Sequence, residues 1–248
     1  MKYPTYCINL EHREDRKAES LKQFSKLNIL AEDVIYPSFV KDSRGGAYGC
    51  FDSHIKIWND FFIKYPNNNY CLIFEDDFII TDNSVQMLND AEQFIIKNYN
   101  AVDILNLHDL RINVKNILND ENFTNGYGLA THAYFITRSY IQNIISRYGK
   151  LPESDGQHID NVLNFKILHP LYTTKIFYTN IECIKQNPIC ESDNCKNKLD
   201  DFFRNTININ TSNKIALLGC SFGKKFFNLN DDELKKNVSL LLSIYKNY

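Results

Sequence analysis

The sequence predicts an α/β fold with a Rossmann-like sheet flanked by helices, and two observations carry that expectation. Short apolar runs alternate with amphipathic segments through the N-terminal part of the chain, the order that a parallel sheet with crossover helices requires. Two of those runs end in polar clusters, Asn9-Leu10-Glu11 and Glu75-Asp76-Asp77, and open α/β sheets bind ligands outside the carboxyl ends of their strands. With 248 residues, the chain can bury a sizeable core as one elaborated domain or one domain with a small cap.

The first strand is expected over Tyr3 to Leu10. A charged helix follows from Glu11 to Leu27, with Ala18, Leu21, Phe24 and Leu27 as its apolar stripe. A second strand covers Asp33 to Phe39, and Ser43-Arg44-Gly45-Gly46 reads as a loop. The second helix starts near Cys50 and runs to Tyr65, where Pro66 and an asparagine run stop it. The strand ending in carboxylates comes next, then a helix over Ser84 to Asn98 and a strand over Val102 to Leu107. Further on, Gly128 to Thr137 reads as a strand, Arg138 to Tyr148 as a helix, and Tyr172 to Lys185 as one or two strands. Residues 196–248 read as a small C-terminal extension packing on the domain formed by residues 1–195. It holds a polar linker, a strand or turn over Ile215 to Gly223, and a helix over Asp231 to Tyr245.

Composition narrows the function. Hydrophobic residues make up 44% and charged residues 23%, ordinary for a globular protein. A net charge of −2 supplies no field for nucleic acid or an anionic membrane. No apolar run approaches the roughly 20 residues that span a bilayer, and Met1-Lys2-Tyr3-Pro4 lacks the apolar core of a signal peptide. A soluble chain in a reducing cytoplasm is the expectation, with Cys7, Cys50 and Cys71 as buried thiols. Cys183, Cys190 and Cys195 lie closer together, but no histidines follow at zinc-site spacing. Abundant Asn, Ile and Lys suggest an AT-rich genome, compatible with a giant virus, a protist or a bacterium, and with the host cytoplasm if the source is viral.

The run Glu75-Asp76-Asp77 is the strongest local signal. Adjacent like charges repel, so folding alone gives little reason to gather them at the mouth of a core strand. A divalent cation with a phosphorylated ligand would supply a reason; a strand running out into a solvated acidic turn is the alternative. Asn9, Arg13 and Arg16 surround the first strand-to-helix turn, where a helix N-terminus and guanidinium forks favour phosphate. Glu14 and Asp15 near a helix start, with both arginines on its outer face, read equally well as plain helix chemistry. In Gly49-Cys50-Phe51-Asp52-Ser53-His54, a first turn carrying Ser53 and His54 aims a hydroxyl and an imidazole over the sheet edge. Capping by Asp52 or Ser53, beside a partly buried histidine, is the alternative.

Together these motifs resemble glycosyltransferase family 25, which includes bacterial lipooligosaccharide galactosyltransferases and procollagen galactosyltransferases. The resemblance rests on a strand ending in Asn9-Leu10 before Arg13-Glu14-Asp15-Arg16, on Gly49-Cys50 with Ser53-His54, and on Glu75-Asp76-Asp77. Thr131-His132-Ala133-Tyr134, Ile159-Asp160, and Gln186-Asn187-Pro188 through Ser192-Asp193 follow in the family's order, so the likeness spans residues 3 to about 195. Tyr36-Pro37-Ser38-Phe39 departs from the family's Ala-x-Asp-Gly turn, and Ala47-Tyr48 from its Gly-Glu. These departures bear on sugar and base selection more than on reaction type.

The resemblance implies a GT-A type fold with a mixed sheet, and inverting transfer of a hexose, galactose or glucose, from a UDP-sugar to a hydroxyl on a glycan or protein acceptor. It implies Mn²⁺ or Mg²⁺ held by Asp77, with Glu75 or Asp76 helping to hold ribose or the coordination sphere. It places Asn9, Arg13 and Arg16 near the nucleotide and Ser53 and His54 in the donor pocket. His132 and Tyr134 line the pocket or belong to the core. Asp160 is implied as the base that deprotonates the acceptor, with Asp155 and His158 as alternatives, and an N-cap role competes for Asp160. A family member that has lost catalysis and serves as a binding or assembly module is the other reading. A phosphohydrolase is a third, but the Asp-x-Asp-x-Thr arrangement of an aspartyl-phosphate enzyme is missing.

Overall fold

A computed structural model of the chain describes residues 3–108, 111–115, 120–128, 131–154, 159, 176–180 and 183–186. The chain divides into two compact units, Met1–Asn194 and Cys195–Tyr248, and the second lies wholly outside the described residues. The strand and helix expected within residues 196–248 lie there too.

In chain order the strands are β1 (Thr5–Ile8), β2 (Val34–Ile35), β3 (Tyr70–Glu75), β4 (Phe78–Ile80), β5 (Ile104–Asn106), β6 (Arg111–Lys115), β7 (Phe123–Gly128), β8 (Ala133–Thr137), β9 (Ile176–Thr179) and β10 (Ile184–Gln186). The helices are α1 (Glu14–Lys26), α2 (Gly46–Lys64), α3 (Ser84–Asn98) and α4 (Arg138–Tyr148). Eight strands form one sheet in the order β2-β1-β3-β8-β5-β9-β7-β6, and β10 pairs with β4 in a small antiparallel sheet. No helix among the described residues is long and apolar enough to cross a membrane.

The helix–strand alternation predicts a parallel sheet, and β2, β1 and β3 are parallel. Beyond them the sheet is mixed, because β8 runs antiparallel between β3 and β5. The strand expected over Gly128 to Thr137 is β8, which starts at Ala133, and Gly128 is the last residue of β7. β7 pairs with β6 and β9 at the far edge, whereas β8 enters the centre of the sheet.

Period-two alternation along β3 builds both faces of the core. Leu72 and Phe74 point to one side, where Phe24 of α1 and Met87, Ala91, Phe94 and Ile95 of α3 cover them. Cys71 and Ile73 point to the other, against Ile57, Trp58 and Phe61 of α2 and Ile141 of α4. All four side chains of that strand segment are fully buried, the pattern of a central strand covered on both faces.

α1 presents only part of the stripe that its apolar residues predict. Phe24 and Leu27 are buried, but Ala18 is exposed, and Arg16, Ser20 and Gln23 turn inward as well. Each buried polar group has a partner that offsets its desolvation: Arg16 donates to Asp76 at 3.0 Å, Ser20 contacts the Tyr36 hydroxyl at 2.9 Å, and Gln23 accepts from the Ile80 amide at 3.3 Å. α2 begins at Gly46, a turn earlier than expected, behind Gly45 at φ 123°, a conformation glycine adopts without strain.

Arg138, the first residue of α4, closes the far end of α2. Its guanidinium donates to the carbonyls of Phe61 (3.1 Å), Phe62 (2.9 Å), Tyr65 (2.6 Å) and Asn68 (2.9 Å). It also lies 4.9 Å from the ring centroids of Phe61 and Phe62. The last carbonyls of a helix have no partner within it, and a cation there also opposes the helix dipole. Arg138→Ala is expected to lower stability by about 3 kcal/mol, the range of a few charge-assisted hydrogen bonds left unmade. Arg138→Lys should restore less than half of that, because an ammonium cannot reproduce the fork. Urea unfolding of the two variants checks this, and a loss under about 1 kcal/mol would show that water replaces the guanidinium.

Candidate functional site

The parallel register pairs Ile8 with Glu75, so the carboxyl ends of β1 and β3 lie side by side. Asn9 and Leu10 leave one strand as Asp76 and Asp77 leave the other. These residues line a cleft with Arg16 of α1, Lys41 and Asp42 of the following loop, and Gly46, Gly49, Cys50 and Ser53 of α2.

Glu75 ends β3, and Asp76 and Asp77 form the tight turn to β4. Phe74 and Phe78 on either side have ring centroids 4.6 Å apart, and each lies 4.9 Å from Phe24. This clamp holds the turn against the core, where Asp76 is 8% and Asp77 5% exposed. Burial at that level excludes the solvated acidic turn.

Each carboxylate has different company. Glu75 Oε1 accepts from the Thr131 hydroxyl and lies 3.3 Å from His54 Nε2, while Oε2 lies 3.9 Å from His132 Nδ1. Burial pushes the Glu75 carboxyl up, but its contacts with His132 and His54 outweigh it and hold it well below the usual carboxylate range. Asp76 turns the other way and forms a buried ion pair with Arg16 at 3.0 Å. Its carboxyl is nevertheless pushed up to about 7, because burial and the charges of Asp77 and Glu75 outweigh the arginine. Asp77 faces Glu75 and His132: one donor atom from each of these three lies within 4.8 Å of the others. Two carboxylate oxygens and an imidazole nitrogen suit a Mn²⁺-class ion.

Asn9 adds a second polar element to the cleft wall. Its Nδ2 donates to the Leu10 carbonyl at 2.9 Å, and its Oδ1 is buried with no partner among the described residues. A buried acceptor of this kind is costly unless a donor reaches it.

The other expected site residues fall in three groups. Ser53 lines the cleft, but it lies in the interior of α2 and donates to the Gly49 carbonyl at 2.7 Å. His54, also in the helix interior, is fully buried against Glu75. Neither caps the helix, and Asp52 pairs with Arg44, so the capping alternative fails. Arg13 is the N-cap residue of α1, holds Asp15 through two contacts of 2.9 Å, and is absent from the cleft lining. Asp155, His158 and Asp160 lie outside the described residues.

Several residues at or beside the site are not among the site residues expected from the sequence. Lys41 and Asp42 follow no pattern and reach the cleft through the close approach of their loop to Gly49, where an added Cβ would stand 3.1 Å from Asp42 Cβ. Cys50, expected as a buried thiol, is half-buried on the cleft wall, whereas Cys7 and Cys71 are buried. Thr131 reaches Glu75 from the segment before β8. Trp58 stands one helical turn after His54, a spacing that signals a shared face.

Residues 43–163 match the model of Glycosyltransferase family 25 (LPS biosynthesis protein), a stretch that contains α2, the carboxylate turn and β8. No protein of curated function matches the chain in sequence. Among solved structures, a glycosyltransferase involved in glycosylation of the major capsid of PBCV-1 is similar at 8% identity and a TM-score of 0.38, covering 70% of this chain and 80% of that one. Mannose-1-phosphate geranyltransferase from Thermus thermophilus is similar at 6% identity and a TM-score of 0.45, covering 75% and 76%. UDP-glucose pyrophosphorylase complexed with UDP-glucose is similar at 9% identity and a TM-score of 0.40, covering 72% and 73%. Residues 43–163 of this α/β protein carry the glycosyltransferase family 25 match, and that match supports a transferase acting on a sugar donor and an acceptor.

Proposed function

We propose that the cleft takes a UDP-sugar with a divalent cation, and that the enzyme moves a hexose, galactose or glucose, to a hydroxyl on a glycan or glycoprotein with inversion. The observation that supports this reading best is the meeting of Glu75, Asp77 and His132 donors within 4.8 Å, where the end of β3 meets the start of its antiparallel neighbour β8. The expected carboxylate set is thereby rearranged: Glu75 and Asp77 are the acidic ligands, His132 is the third, and Asp76 holds Arg16. Mn²⁺ or Mg²⁺ bound there would neutralise the charge that builds on the diphosphate as the sugar departs.

The chain's own residues supply the remaining parts. Asn9 offers its buried acceptor to the nucleotide side of the cleft, and Arg16 brings a positive charge to the carboxylate turn. Ser53 and Cys50 form the α2 wall beside the donor. Asp160, outside the described residues, is the assigned base. It takes the acceptor hydroxyl proton as that oxygen bonds to the anomeric carbon, and the bond from that carbon to the diphosphate breaks on the opposite face.

Two substitutions test the assignment. Asp77→Ala is expected to abolish Mn²⁺-dependent transfer and to weaken Mn²⁺ binding in calorimetry; retained binding and turnover would remove Asp77 from the site. Asp160→Asn is expected to slow transfer on the order of 10² to 10⁴-fold while UDP affinity survives. An unchanged rate would remove it as base.

The buried Asp76 makes a separate prediction for the metal-free protein. A carboxyl at about 7 in the fold, against an ordinary value of about 3.9 unfolded, retains a proton that the unfolded chain has released. Its contribution is fully present below about pH 4 and is lost as pH rises towards 7. Glu75, shifted down, acts in the opposite sense and at lower pH. Asp76→Asn should therefore flatten the fall in stability between pH 4 and 7, a slope of up to about 1.4 kcal/mol per pH unit. Urea midpoints across that range measure it, and identical slopes for wild type and variant would refute it.

A further inference from the structure

Behind Glu75 runs a chain of buried side chains that the transfer reaction itself does not use. Trp58 Nε1 lies 3.0 Å from the Tyr134 hydroxyl, that hydroxyl lies 2.7 Å from His54 Nδ1, and His54 Nε2 lies 3.3 Å from Glu75 Oε1. Trp58, His54 and Tyr134 are all fully buried. The tyrosine ring stacks on the imidazole at 5.6 Å with an interplanar angle of 29°.

The direction of this chain follows from what each group can do. An indole N–H only donates, so the Tyr134 oxygen accepts from Trp58 and sends its own hydrogen to His54 Nδ1. An imidazole that accepts at Nδ1 carries its proton at Nε2, and Nε2–H then donates to Glu75 Oε1. The opposite tautomer would turn a lone pair towards an ionised carboxylate and leave the tyrosine hydrogen without an acceptor, both costly in a buried site. With Oε1 held by His54 and the Thr131 hydroxyl, Oε2 is the oxygen directed towards His132.

We propose that Trp58 and Tyr134 are positioning residues that fix His54 as an Nε2–H donor and, through it, hold Glu75 in the orientation that binds the cation, an inference that rests on Glu75 being a metal ligand. Partners that orient metal ligands in this way commonly change metal affinity 10- to 100-fold when removed. The device joins three elements, since Trp58 and His54 stand on α2, Tyr134 on β8 and Glu75 at the end of β3.

The test uses the full-length protein with ¹⁵N-labelled histidine. In the wild type, the nitrogen shifts of His54 should report the proton on Nε2. Tyr134→Phe keeps the ring and removes the hydroxyl; it should mix the two tautomers and weaken Mn²⁺ binding, read by electron paramagnetic resonance, about tenfold. UDP affinity measured without metal should stay unchanged. If Tyr134→Phe does not fold, Trp58→Phe removes the donor at the other end of the chain and should shift the His54 signals in the same way. His54→Gln, which retains an amide N–H for Glu75, should keep more Mn²⁺ affinity than His54→Ala. A wild-type His54 protonated on Nδ1, or hydroxyl-free variants that bind Mn²⁺ within twofold of wild type, would overturn the proposal. If Glu75→Gln binds Mn²⁺ as the wild type does while the His54 signature is as stated, the metal role of Glu75 is what fails.

Discussion

A carboxylate at the end of a core strand stays ionised only if donors are built around it, and at Glu75 those donors come from two other elements. His54 reaches it from α2 and Thr131 from the approach to β8. The contact therefore ties the helix on one face of the sheet to two neighbouring strands within it. It also sets the geometry around it: Glu75 occupies the register position opposite Ile8, its backbone amide donates to the His132 carbonyl at 3.0 Å, and Asp76 and Asp77 turn away immediately afterwards. Shifting β3 by one residue would exchange the faces of Leu72, Ile73 and Phe74 and move Glu75 out of reach of His54. The packing of the core and the position of the site are thus one constraint.

Like charges that would separate in water are kept together here by different partners. Glu75 is stabilised by histidines and a hydroxyl, Asp76 by Arg16 and by readiness to hold a proton, and Asp77 shares its side of the turn with His132. The phenylalanines at 24, 74 and 78 close the turn from beneath. A site organised this way carries much of its charge balance before any ligand arrives, which is the preorganisation that electrostatic catalysis exploits.

Local pattern makes a good part of this legible. The bounds of α3 and α4 follow from apolar spacing and stop signals, and the three-carboxylate run marks the end of β3 directly. What escapes it depends on pairing between distant segments. Nothing near β8 states that it will run antiparallel between β3 and β5, and nothing near Thr131 states that it will meet a carboxylate 56 positions earlier. The buried face of α1 departs from its apolar stripe for a related reason: Arg16, Ser20 and Gln23 turn inward because their partners lie on other elements, which helical periodicity does not see. Tertiary partners override the local hydrophobic pattern most readily beside a functional site.

The close approach of Gly49 to Asp42 has an evolutionary side. The loop carrying Lys41 and Asp42 rests directly on α2 where a Cβ is missing, at a separation that would leave 3.1 Å to an added one. The width of the cleft at this wall is consequently set by a single absent methyl group rather than by the core. If the cleft takes the donor as proposed, substitutions along this rim would vary which sugar is admitted while the sheet, the carboxylate turn and its supporting histidine stay unchanged. Such a division lets one catalytic apparatus diversify across substrates through small changes at its edge.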